Sequence, residues 1–195
     1  MSKMDVKDVR AIIERRLSLA WGRFWNAVEK AEQRVVRELQ YPLPTNIEKR
    51  FEIDREGTPA VVCVKCVEVR DDGGRYDDQA AKAYFQEGFQ EGIAVWVGVA
   101  ITPTGETRGI YVRMRSMGGR EVYNARRVLE VVADMRDPLF ADVVIKALEG
   151  FAEEMERWMK EVERRVERKV EENTELIERW EAELAVGSLE GGEER

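Results

Sequence analysis

IAVWVGVAI, residues 93–101, is the longest uninterrupted apolar run in the chain when Gly98 is counted as apolar. It is far shorter than the ~20 residues a helix needs to cross a bilayer. Its β-branched content predicts a strand. Ile93, Val95, Val97, Val99 and Ile101 share one face, because strand side chains alternate. Ala94, Trp96, Gly98 and Ala100 share the other, where most are small enough for a helix to approach. Downstream, Pro103-Thr104-Gly105-Glu106 reads as a hairpin turn. It leads to a strand from Thr107 to Arg115, with Ile110, Val112 and Met114 inward. Upstream, Ala60 to Arg70 carries valine on both faces, as a central strand does. Phe51 to Asp54 is a shorter strand, joined to it through a turn at residues 55–59. Asp77 caps a short helix from Asp78 to about Gln90. The expected head is a four-stranded antiparallel sheet in the order ββαββ, within an α+β chain.

Long helices flank that head. Residues 1–40 read as one helix, capped by Asp5 and stopped by Gln40-Tyr41-Pro42-Leu43-Pro44. Its apolar positions run Val6, Val9, Ile13, Leu17, Ala20, Phe24, Val28, Ala31, Val35 and Leu39. The steps follow an eleven-residue repeat, the spacing of a straight or slightly right-handed stripe. Trp21 and Trp25 widen the stripe around Phe24. The β-rich head occupies 41–119. Two C-terminal helices follow, 120–136 and 138–186, the second opened by Asp137-Pro138 and able to bend at Gly150. Residues 187–195 form a polar tail. From Phe151 the stripe recurs through Met155, Trp158, Val162, Val166, Val170, Asn173, Ile177, Trp180 and Leu184. Asn173 is its one polar member, and a single buried Asn in a helix seam fixes register or partner number. Such stripes are too long for the head to cover, so the two helices are expected to pair antiparallel or to pair with another copy. Trp21, Phe24, Trp25, Met155, Trp158, Val162, Asn173, Ile177 and Trp180 are the candidate interface.

Composition narrows the chemistry. The chain has 195 residues, 44% of them apolar and 36% charged, so it can bury a core. It has no histidine. Serine and cysteine triads, histidine bases and histidine zinc sites are therefore excluded within it. The two cysteines, Cys63 and Cys66, provide no disulfide framework. On a strand their spacing points them to opposite faces, so they read as buried packing residues rather than half a metal site. Asp71, Asp72, Asp77 and Asp78 bracket Gly73-Gly74, but they lack the twelve-residue loop of a calcium site and read as a solvated turn and a cap. A carboxylate–lysine nuclease pattern around Glu52, Asp54 and Lys65 fails, because the position two before Lys65 is Cys63. The tandem FQEG repeat at 85–92 reads either as a helix that ends already at Gly88 or, with its phenylalanines on one face and its glycines on another, as a close approach for a partner helix or a deformable lid; the helix end is favoured. No metal and no cofactor is expected.

Charge is distributed unevenly. The net charge is −7, and residues 119–195 hold 21 acidic against 13 basic groups. An acidic chain is a poor general binder of DNA. One local exception stands out. Tyr111, Arg113 and Arg115 alternate outward on the fourth strand, and Gly118-Gly119-Arg120 follows at an expected helix start, with Arg126 and Arg127 beyond. Arginines at a glycine-rich helix start can hold a phosphate. An aromatic among arginines on a sheet face can bind single-stranded nucleic acid.

The sequence thus favours a non-enzymatic structural or interaction protein, a cellular scaffold or a virion component. It would be a homo-oligomer through its helices, with other protein partners open to it, and cytoplasmic rather than secreted or membrane-spanning. The alternative is a nucleic-acid or phosphate-binding module. Abundant Glu and Arg beside sparse Asn and Gln fit a protein from a hot environment.

Overall fold

The computed structural model describes residues 6–69, 92–116 and 118–190, with side chains over 8–69, 92–116 and 118–185. The expected helix at Asp78–Gln90, the FQEG repeat, the acidic residues 71–78 and the Asp5 cap lie outside them. The chain divides into two units, Met1–Arg157 and Trp158–Arg195.

The chain is α+β. Helix α1 spans Val6–Ala31 and continues as a wider π-helical segment, Glu32–Glu38. Strands β1 (Glu48–Arg55), β2 (Thr58–Glu68), β3 (Ile93–Ile101), β4 (Thr107–Arg115) and β5 (Glu121–Val122) follow. Helices α2 (Ala125–Asp134) and α3 (Pro138–Glu190) complete the order.

The sheet has five strands in the order β1-β2-β3-β4-β5. It is not the four-stranded antiparallel sheet expected, because β2 and β3 are parallel, with Val62 opposite Val95 and Val64 opposite Val97. The physical reason is burial. Every residue of β3 is buried, and β2 is buried from Ala60 to Val64. Strands covered on both faces read as continuous apolar runs, which is the signature of parallel neighbours. A parallel neighbour also needs a long connection, and residues 69–92 supply the length. The other pairings are antiparallel.

The fifth strand comes from sequence assigned above to a helix at 120–136. Gly118 and Gly119 take φ of 83° and 78°, the left-handed region in which glycine is favoured. They turn the chain so that Ser116 N–H donates to the Arg120 carbonyl at 2.9 Å and Glu121 pairs with Arg115. The helix begins only at Ala125. Asn124 stays extended, and its side chain accepts from Arg127 N–H at 3.2 Å as an N-cap.

Helix α3 begins as its sequence suggests. Asp137 accepts from the N–H groups of Leu139 and Phe140 at 3.0 and 3.1 Å, and Pro138 needs no donor there. The helix passes through Gly150 without a break. Its first half runs along β1. Asp137 pairs with Arg55 at one end and Glu154 with Lys49 at the other. Helix α1 packs against the same stretch, with the Phe24 and Phe151 rings 5.3 Å apart and Arg23 bridging to Glu153 at 3.3 Å. Arg10 ties α1 to the end of α2 through Asp134 at 2.7 Å. The loop after α1 docks on the β3–β4 turn, where Leu43 N–H donates to the Gly105 carbonyl. Gly105 is required there, because a Cβ would lie 2.3 Å from the Pro42 Cα.

Candidate functional site

Two of the expected sites are described by the structure, and each differs from its expectation. The first is the arginine face of β4. Tyr111 is half-buried and packs against an apolar cluster that includes Val61, Cys63, Ala94 and Trp96. The face bearing Tyr111 and Arg113 is therefore a core face, not an open platform. Arg113 is a buried charge, and its guanidinium pairs with Glu121. Arg115 reaches the same carboxylate oxygen at 3.3 Å, and Tyr123 O–H donates to the other oxygen. Arg113 also lies over the Tyr123 ring, 5.2 Å from its centroid. The donated Tyr123 hydrogen bond, followed by that from Arg113, pulls the Glu121 carboxyl down to about 2. The same bond pushes the Tyr123 phenol up.

Glu121 and Tyr123 were absent from the sequence-level site. The sequence reading places them on a helix, away from β4. The turn at Gly118-Gly119 brings them there. Arg120, Arg126 and Arg127 are exposed, and the latter two both pair with Glu130. Gly118 and Gly119 form a strand-to-strand turn rather than a helix N-terminus, so their part in the expected phosphate cradle is lost.

The second candidate is the helical stripe, and it separates into two parts. Phe24, Met155 and Val162 are buried. Trp21 and Trp158 are half-buried, and Trp25 is exposed beside a cleft of about 250 Å³ lined by Val28, Glu32 and Ile110. The α1 stripe from Ile13 through Leu17, Ala20, Phe24, Val28 and Ala31 to Val35 is consumed in the core of the first unit. The later part of α3 is different. Every described side chain from 167 to 185 is exposed, Asn173 included. Val170, Ile177 and Trp180 are 58%, 51% and 54% exposed, and Leu184 is more exposed still. The flanks are charged, with Arg165 bonded to Glu161 at 3.0 Å.

The cysteines are free and buried. Burial pushes the Cys66 thiol up to about 12, with Glu154 adding to the shift. Neither has a metal-ligating neighbourhood, and no group of three metal-binding side chains occurs among the described residues. No described helix is long and apolar enough to cross a membrane. No family model, curated protein or solved structure matches the chain.

Proposed function

We propose that this chain is a non-enzymatic interaction protein that assembles through the late part of α3. The observation that carries this reading is the stripe Val170, Ile177 and Trp180, interrupted only by Asn173 and half or more exposed on a helix segment with no buried side chain over 167–185. An isolated helix gains little stability from propensity alone and needs a packed face. Large exposed aliphatic and aromatic side chains in register mark a contact surface. The partner surface is another amphipathic helix, antiparallel to this one. The eleven-residue spacing of the stripes on both long helices belongs to the same proposal, as does a structural role in a cellular scaffold or a virion.

The arginine face is the weaker alternative. Its two inner arginines are already engaged by Glu121. Nucleic-acid binding there would have to displace a carboxylate held well below its usual range.

Size-exclusion chromatography with light scattering tests the proposal. The wild type is expected to exceed the 22.5 kDa of one chain. The Ile177→Ser/Trp180→Ser variant is expected at that single-chain mass with an unchanged circular dichroism melt of the first unit. A wild type at single-chain mass throughout the micromolar range refutes the reading.

A further inference from the structure

The exposed segment of α3 has a sequence symmetry that names its partner. From half-buried Val166 into the exposed window the stripe runs Val166, Val170, Asn173, Ile177, Trp180, in steps of 4, 3, 4 and 3. Within this window the spacing is that of a heptad, as in two helices wound on each other, although the whole stripe from Phe151 to Leu184 averages the eleven-residue spacing. Val166 and Trp180 each lie seven residues from Asn173, and Val170 and Ile177 lie three and four away. The charges follow the same centre with opposite signs. Arg168 and Glu178 are each five from Asn173, Glu167 and Arg179 six, and Arg165 and Glu181 eight.

Resting on the interaction reading above, we infer that the occupant of this face is a second copy of the same helix. It lies antiparallel on a two-fold axis through Asn173. Turning one copy end for end about that residue sets Val166 against Trp180 of the partner subunit and Val170 one residue out of register with Ile177 of the partner subunit, within the same apolar layer. Asn173 meets its own equivalent, where an amide can both donate and accept. A two-fold interface is self-complementary by construction, so each ion pair appears twice.

Charge decides between the two orientations. Residues 160–169 carry five basic and three acidic groups, whereas residues 171–183 carry six acidic and one basic. A parallel, in-register pair sets the acidic stretch against itself. The antiparallel pair sets the basic stretch against the acidic one. Glu171 opposite Glu175 of the partner subunit is the one like-charge contact near the axis. Both side chains are exposed, so water and salt screen their repulsion.

Distance measurements between spin labels distinguish the outcomes. Cys63 and Cys66 are buried, so a label attaches to an introduced cysteine. Thr174→Cys and Glu181→Cys, each in the full chain, place labels near the axis and away from it. Antiparallel pairing predicts a short Thr174→Cys separation. The Glu181→Cys labels should be about 24 Å apart along the helix at 1.5 Å per residue. Short separations of roughly 10 Å from both sites mean parallel pairing and overturn this inference, while leaving assembly through α3 intact. Absence of dipolar coupling at both sites, with a single-chain mass, overturns the interaction reading as well.

Discussion

Replacing Glu121 by Gln tests whether the arginine face of β4 is a structural ion cluster. The amide keeps the size of the carboxylate and removes its charge. Arg113 then loses its carboxylate partner while only 7% of its side chain is exposed. Removing one member of a buried pair costs about 3–5 kcal/mol. Glu121 is 26% exposed, so water recovers part of this, and a loss of about 2–3 kcal/mol is expected. Protonation gives an independent bound. The carboxyl falls from 4.5 to about 2, led by the Tyr123 hydrogen bond and then Arg113. At 1.36 kcal/mol per pH unit the carboxylate contributes at most about 3 kcal/mol, less after solvent screening. A depressed carboxyl stabilises the fold above its unfolded value of 4.5 and loses that contribution as pH falls towards 2. Urea unfolding followed by tryptophan fluorescence should therefore show a large gap between wild type and Glu121→Gln at pH 7. The gap should close progressively below pH 4.5. Adding Arg113→Met to Glu121→Gln should recover part of the loss, because an apolar side chain needs no counter-ion there. A gap below about 0.5 kcal/mol at pH 7, or one that does not change with acidification, refutes the assignment.

Two further outcomes test the packing. Phe151→Ala removes a ring that is fully buried and 5.3 Å from Phe24, and should cost about 3–5 kcal/mol in a denaturant melt. A loss under about 1 kcal/mol would mean that α1 and α3 do not share this core. Cys66, buried and with its thiol pushed up to about 12, should resist a thiol-reactive dye in the native protein at pH 8 and react fully in urea. Rapid native labelling would place it at the surface instead.

The apolar patterns were the most legible part of the sequence. The valines of β2 and β3 announce strands buried on both faces, and Asp137-Pro138 announces the start of α3 through its own hydrogen bonds. Strand direction is not legible in the same valines, and β2 and β3 run parallel rather than antiparallel. Double-sided burial favours a parallel pair, but the decision rests on a connection whose path local sequence does not encode. In sequence, Gly118-Gly119 fits either a helix start or a tight turn. The ladder from Arg115 to Glu121, a tertiary contact, settles which. That one choice decides the arginine site, since it brings Glu121 onto Arg113 and Arg115, and Tyr123 onto Glu121. The stripes of the two long helices look alike in sequence. Only packing reveals that α1 spends its stripe on the core whereas α3 beyond residue 166 does not.

The central claim is that residues 167–185 are covered in solution by another helix. Hydrogen exchange of the full chain, read over that segment by mass spectrometry, tests it most directly. A lone helix without packed side chains opens easily and exchanges quickly, whereas a paired one is protected. The account predicts protection of 167–185 at high protein concentration. It predicts loss of that protection on dilution, and in Ile177→Ser/Trp180→Ser at every concentration, while β2 and β3 stay protected throughout. Fast exchange of 167–185 in the wild type at all concentrations would contradict it.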